Sequence, residues 1–351
     1  MQEFLKEKVV IIFMEKLLFI PVIISFIATI IVLPKWINKC KKIGLLWEDM
    51  NKYERPKNVA ASGGIVVAMA FILSVLSYVA IQTFAIKGDN INLQILALLS
   101  VISILAIVGL VDDLLGWKHG GLPPKFRVFL ALMASIPLVA INAGTHIINL
   151  PFLGETNLGI FYPLFLIPLG ITGATTTYNF LAGFNGLEAS QGIIIISSLS
   201  LVAYLTGSAW LSLIGICMVA SLTIFYIYNK FPARVFPGDI LTYSIGALIA
   251  GMAILGNFEK IAVFIFIPYI METILKVRGR LKKQSFGIPN EDGSLELPYE
   301  KMYGLTHISI FILKKFKKKV YEKDVVYLIN LFQILVILIG FVLFKNYIFI
   351  R

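Results

Sequence analysis

The chain has 351 residues, of which 58% are hydrophobic and only 15% charged, with a mean hydropathy of +0.87. Soluble proteins carry about 45–50% apolar and about 25% charged residues, and a soluble chain of this size could not cover so much apolar surface in one or two cores. The composition therefore excludes a pair of soluble domains, and the net charge of +11 becomes a question of membrane orientation before it is one of nucleic acid.

A membrane-crossing helix needs about 20 mostly apolar residues. By that ruler the chain contains ten predicted spans: Leu17–Leu33, Ala60–Ile86, Ile91–Val111, Phe126–Ile141, Phe161–Tyr178, Leu187–Leu205, Ala209–Tyr228, Ile240–Leu255, Ile261–Val277 and Val325–Phe344. Their continuous apolar character, without alternation, predicts helices and not a barrel. The first is a retained helix and not a cleaved signal: Glu15-Lys16 interrupts the apolar run, and no small-residue cleavage site follows. Cys40 and Cys217 fall in different surroundings and form neither a disulfide framework nor a CxxC pair. The fold class is an all-α polytopic membrane protein, a single domain over 1–351. A loop, 278–324, is inserted between the ninth and tenth helices, and its Ser285–Tyr299 stretch reads as a small β-hairpin.

Of the 31 basic residues, 24 fall in the connections after helices 1, 3, 7 and 9. The positive-inside bias places those connections in the cytoplasm and both termini outside. The lysine run 314–319, interleaved with apolar residues, reads as a basic amphipathic helix on an anionic leaflet.

The few carboxylates are placed informatively. Asp112 and Asp113 end the third predicted span, where the helix dipole disfavours acids; the alternative is a stop-transfer boundary. On a helix they point about 100° apart and can serve two functions. Asp239 follows Pro237-Gly238 at the start of the eighth span, and Asn185, three residues before Glu188, opens the sixth. Both also fit ordinary helix caps. Topology gathers Asp112, Asp113, Asn185 and Asp239 on one face. Oxygen ligands of this kind suit Mg²⁺, with Mn²⁺ able to substitute, while Lys125, Arg127, Arg278 and Arg280 would neutralise phosphate. Ser62-Gly63-Gly64, and Gly183 and Gly186 around Phe184, are candidates for backbone amides that approach an anion. His119 and His307 are weaker candidates. The pattern points to phosphoryl transfer to or from a lipid.

The stretches GLVDDLLG, NFLAGFNGLEASQ, VFPGDILTY, AILGNFEK and DGSLELPYEK occur in one order over roughly 44–320. They resemble the polyprenyl-phosphate N-acetylhexosamine-1-phosphate transferases, and within them the dolichyl-phosphate GlcNAc-1-phosphotransferase branch. The resemblance implies transfer of a sugar-1-phosphate from a UDP-N-acetylhexosamine to polyprenyl (dolichyl) phosphate with release of UMP, the first membrane step of lipid-linked glycan assembly for N-glycosylation. It implies Asn185 and Asp239 as Mg²⁺ ligands and Asp112 and Asp113 as the essential acid pair. Substrate contacts are implied for Glu48, Asp49, Met50, Asn179, Gly183, Phe184, Gly186, Arg278, Gly279 and Arg280. The family's active-site lysine falls on Arg127, which cannot exchange protons, with Lys125 as a neighbouring substitute; Lys57 stands where an acid is expected. The partners implied are the nucleotide-sugar, the lipid phosphate and the bilayer, with no nucleic acid and with a homodimer as a candidate assembly. The membrane would be the cell membrane in an archaeon and the endoplasmic reticulum in a eukaryote. The alternatives are an undecaprenyl-phosphate-type transferase for a cell-surface polymer and, from another class, a cation-coupled transporter. A transporter predicts acids near mid-bilayer, whereas these lie at span ends; a CDP-alcohol enzyme would need a DG…AR pattern that is missing.

Overall fold

The computed structural model describes residues 17–86, 91–150 and 154–349. Glu15-Lys16 therefore lie outside the described residues. In chain order the elements are α1 (Ile20–Ile43), β1 (Leu46–Glu48), β2 (Lys57–Ala60), α2 (Gly64–Ile81), α3 (Ile91–His119), α4 (Pro124–Ala134) and α5 (Ile136–Ala140). There follow β3 (Ile147–Leu150), β4 (Gly154–Asn157), α6 (Ile167–Phe180), α7 (Leu187–Leu205), α8 (Ala209–Asn229) and α9 (Gly238–Gly256). The chain closes with α10 (Glu259–Ile265), α11 (Ile267–Arg278), β5 (Ile288–Pro289), β6 (Leu295–Glu296), α12 (Leu305–Phe316), α13 (Glu322–Leu343) and α14 (Lys345–Phe349).

Seven stretches within α1, α2, α3, α7, α8, α9 and α13 are each long and apolar enough to cross a bilayer. The remaining three predicted spans fall on broken helices. Segment 124–140 is interrupted at Ser135 ahead of Pro137, and segment 259–278 at Phe266 ahead of Pro268. In segment 162–180 a π-turn at Tyr162–Leu166, carrying Pro163, precedes Pro168 of α6. Proline lacks an amide proton and its ring clashes with the carbonyl four residues back, which weakens the ladder where these segments break. Outward faces are apolar, as at Ile107, Leu169 and Val342.

Two boundaries differ from the sequence expectation. Helix α1 continues through Pro34 to Ile43, so Lys35, Lys39, Lys41 and Lys42 extend the helix and do not lie in a loop. Helix α3 continues to His119, which puts Asp112 and Asp113 two turns inside it and not at its end. The stretch that follows turns back through Gly120 and Gly121, both at φ near +80°, onto Asp112.

Helix α9 is the hub, buried at every residue from Ile240 to Gly256. A Cβ on its Gly246 would lie 2.6 Å from the Thr175 Cα of α6, so the two helices meet backbone to backbone, as small residues permit in membrane bundles. Three two-stranded antiparallel ladders complete the fold: β1 with β2, β3 with β4, and β5 with β6. Helix α12 ends at Phe316, and Lys317 is already extended; the second half of the lysine run leads into the Ser294–Tyr321 bridge. The amphipathic helix is thus shorter than its charge pattern predicts.

Candidate active site

A cavity of about 580 Å³ opens at one end of the bundle, lined by Trp47, Glu48, Met50, Lys57 and Ser62 from the α1–α2 connection and by Asp113 of α3. Asn179, Gly183, Phe184 and Glu188 come from the α6–α7 region, Phe236 to Asp239 and Thr242 from the start of α9, and Phe286 from the segment after α11. Three of the four basic connections, those after α1, α8 and α11, therefore contribute to a single cavity together with the α6–α7 turn and Asp113 of α3. Its size is within the usual range for a small-molecule site.

The start of α9 shows how the sequence builds it. Asp239 sits where a capping acid would, yet its side chain makes no cap. The cap comes instead from α3: Asp113 Oδ1 accepts the Asp239 amide at 2.7 Å, and Oδ2 accepts the Ile240 amide at 3.5 Å. Acceptors at a helix N-terminus satisfy orphan amides and match the dipole. Capping in trans frees the Asp239 carboxylate for the cavity. The approach is close enough to demand Gly238, whose φ is +72° and where a Cβ would lie 2.1 Å from Asp113 Oδ2.

Asp112 points elsewhere, as the 100° offset requires. It is buried; Oδ1 accepts the Leu122 amide at 2.6 Å and Oδ2 lies 3.0 Å from Arg127 Nη1. The same Nη1 is 3.5 Å from Asp239 Oδ2. Two carboxylates from different helices thus converge on one guanidinium nitrogen. Lys125, two residues before Arg127, is exposed and does not line the cavity.

Asn185 does not cap its helix either. Its amide nitrogen donates to Asp49 Oδ2 at 3.1 Å, its backbone N–H donates to Glu322 Oε1 at 2.7 Å, and its buried Oδ1 has no partner. The residue lies behind the cavity wall formed by Gly183 and Phe184. Glu188, expected as the partner of an Asn185 cap, accepts the Gly183 amide at 2.7 Å and leaves Oε2 buried and unpartnered. Gly183 (φ +104°) and Gly186 (φ +86°) hold the turn between them. Gly63 and Gly64 act differently from the expectation: their amides are engaged by the carbonyls of Phe236 and Pro237, and their missing Cβ atoms let α2 pack on that loop.

Asp49 is held by Asn185 and Lys52 and does not line the cavity; Glu48 and Lys57 do, paired across the β1–β2 ladder. Gly186 contacts Lys230. Arg278, Gly279 and Arg280 form the turn after α11, outside the lining. His307 is buried, with Nδ1 accepting the Tyr303 amide. Burial, aided by the Lys276 charge, pushes its pKa down to about 4. The side chain of His119 lies outside the described residues.

Three contributors, Thr242, Phe286 and Glu322, are not legible as such in sequence. Thr242 Oγ1 donates to Oδ1 of the expected Asn179 at 3.1 Å, and Phe286 packs on Gly183. Glu322, at the start of α13 and 1% exposed, accepts from Asn185 N, Asn51 Nδ2 and Lys52 Nζ. Nothing local at Glu322 distinguishes it from a charge at a membrane boundary.

The lining carries four carboxylates, Glu48, Asp113, Glu188 and Asp239, against one lysine, Lys57. A bridging cation would offset that charge for an incoming diphosphate. The donor types suit Mg²⁺, which prefers oxygen and one or two carboxylates: Asp239 faces the cavity, whereas Asn185, whose carbonyl oxygen is orphaned, lies behind its wall. Among the described residues no group of three or more His, Cys, Asp or Glu side chains is placed to hold a metal ion.

The geometry defines a multi-helix membrane protein with a polar, carboxylate-lined cavity at one end of the bundle. Residues 95–257 match the family described as glycosyl transferase family 4. The chain is 35% identical over 301 residues to a protein of Saccharolobus solfataricus provisionally named UDP-N-acetylglucosamine–dolichyl-phosphate N-acetylglucosaminephosphotransferase, covering 85% of this chain and 89% of the relative. It is 30% identical to the protein of that name in Dictyostelium discoideum, over 73% and 69% of the two chains. It is 29% identical to the phospho-N-acetylmuramoyl-pentapeptide-transferase of Streptococcus mutans, over 72% and 76%. The chain belongs to glycosyl transferase family 4, as an integral membrane member.

Proposed function

We propose that this protein transfers N-acetylglucosamine-1-phosphate from UDP-N-acetylglucosamine to dolichyl phosphate and releases UMP. The relatives from Saccharolobus and Dictyostelium carry that activity in their names. The observation that carries the reading is the excess of carboxylates over lysine in a cavity of nucleotide-sugar size.

In the reaction an oxygen of the lipid phosphate attacks the β-phosphorus of the nucleotide-sugar, and the bond to the bridging oxygen breaks to leave UMP. Bound Mg²⁺ supplies charge neutralisation and orientation of the diphosphate. Asp239, held at the head of α9 by Asp113, and the Asn185 carbonyl would hold it. Arg127, held between Asp112 and Asp239, would offer its guanidinium to the incoming lipid phosphate. Arginine stays protonated and acts by charge and bidentate hydrogen bonding; the ionised phosphate needs little proton removal. Alignment of two anions, normally opposed by their repulsion, is the main catalytic contribution of these residues.

The broken segments 124–140, 162–180 and 259–278, added to the seven long helices, make ten crossings. With the basic connections on one side, the cavity faces the cytoplasm and the termini lie outside.

The test is transfer of radiolabelled sugar-phosphate by purified protein, with dolichyl or undecaprenyl phosphate as acceptor and UDP-GlcNAc or UDP-MurNAc-pentapeptide as donor. Label should pass from UDP-GlcNAc to dolichyl phosphate. The Streptococcus relative makes the muramoyl donor the informative competitor; preference for it would replace this reading.

A further inference from the structure

A second cavity shares no lining residue with the candidate active site. It measures about 320 Å³ and is walled by Met271 of α11, by Leu305, Ile308 and Ile312 of α12, and by residues of α13 from Leu328 to Leu335. Ser309 is the only lining residue with a polar side chain. Along α13 the lining runs from Leu328 to Leu335, about 10 Å at 1.5 Å per residue. The groove is therefore a slot and not a dimple. Its outer walls are open, since Ile312, Leu331 and Leu335 are exposed.

The helix that forms one wall carries a specific sign at its end. Leu305, Ile308, Ile312 and Lys315 are spaced three, four and three apart, so one stripe of α12 runs from apolar wall to cation. The lysine run that follows is largely paired: Lys314 with Glu296, Lys317 with Asp324 and Lys319 with Asp292. Among the described residues Lys315 and Lys318 have no carboxylate partner; both are exposed, and Lys315 rests over the Phe311 ring at 4.6 Å. An apolar slot whose wall helix carries an unneutralised lysine on the same stripe, followed three residues on by a second, complements a molecule with an acyl chain and a negative headgroup.

We propose that the groove between α11, α12 and α13 is a binding site for an anionic phospholipid, its chain in the slot and its headgroup phosphate on Lys315 and Lys318. The site differs from the general attraction of a basic surface to a membrane because the slot fixes where the lipid lies. It is independent of the transfer reaction proposed above.

The experiment uses the full-length protein, delipidated in detergent and offered phosphatidylglycerol or phosphatidylcholine, with retained lipid counted by native mass spectrometry. Phosphatidylglycerol should be retained in preference. A lysine near an anionic surface contributes about a fivefold change in affinity, so Lys315→Ala and Lys318→Ala should each lower phosphatidylglycerol retention by about that factor and leave phosphatidylcholine unchanged. Ile312→Trp, which fills the slot, should lower both. Equal retention of the two lipids by the unaltered protein overturns the proposal. So does undiminished phosphatidylglycerol retention in the doubly substituted lysine variant. Delipidated dimers that Ile312→Trp dissociates would assign the groove to a second copy of the chain instead. The lysine substitutions are on the surface, so the test survives if Ile312→Trp does not fold.

Discussion

Asp113 Oδ1 accepts the backbone amide of Asp239 at 2.7 Å, across 126 positions of sequence. One acid of the adjacent pair thereby sets the position of a third carboxylate, while its neighbour Asp112 faces Arg127. The pair is divided in labour. Replacing Asp113 with Ala should cost about 0.5–2 kcal/mol, the range for a lost helix cap, and should weaken nucleotide binding through displacement of Asp239. Asp112→Ala should leave nucleotide affinity nearer its original value and reduce turnover with the lipid acceptor. Calorimetric binding of UDP-GlcNAc to both variants separates the two roles; equal losses in both would contradict the division.

Gly238 is constrained twice, by a φ of +72° and by Asp113 Oδ2 at 2.1 Å from any added Cβ. Gly238→Ala should destabilise by about 1–3 kcal/mol from backbone strain alone and abolish activity. A thermal melt within a degree of the original protein would contradict this.

Glu322 is a buried charge with three donors, among them the Asn185 amide and Lys52 Nζ. Removing one partner of a buried pair costs about 3–5 kcal/mol because the other charge is stranded. Glu322→Ala should approach that figure, and Glu322→Gln, which keeps an acceptor, should lose less. Adding Lys52→Met to Glu322→Ala should recover part of the loss, and additive losses in this double-mutant cycle would argue against the network.

His307 is held neutral by burial, its pKa lowered to about 4 from an ordinary 6.5. The unfolded chain therefore binds a proton in that window when the folded chain does not. The stabilisation is complete above about pH 6.5 and is lost as pH falls from 6.5 towards 4. His307→Gln should flatten the part of the stability profile that falls in this window, read as melting temperature against pH relative to the unaltered protein. An unchanged slope assigns the acid sensitivity elsewhere.

The sequence was most legible where a single rule acts alone. Continuous apolar runs locate the helices, and Leu187–Leu205 is predicted and observed with the same bounds. Boundaries failed where the chain does something nonlocal. Helix α3 runs past Asp112 and Asp113 because those acids find partners on Leu122, Arg127 and α9, which no local pattern announces. Asp239 and Asn185 each look like a cap in sequence, but Asp113 caps α9 in place of Asp239 and the Asn185 side chain is drawn to Asp49. Glu322 was invisible for the same reason: its three donors lie more than 130 positions away.

Asp239 as the carrier of a cation that lets a diphosphate enter a cavity of excess negative charge is open to a single measurement: UMP release from UDP-GlcNAc by purified protein against Mg²⁺ concentration, with and without dolichyl phosphate, for the original chain and for Asp239→Asn. Release should require both lipid and metal and be abolished by chelation, and Asp239→Asn should shift the Mg²⁺ requirement at least tenfold higher. Lipid-dependent release that persists in chelator, or an Asp239→Asn variant with an unshifted Mg²⁺ curve, would contradict it.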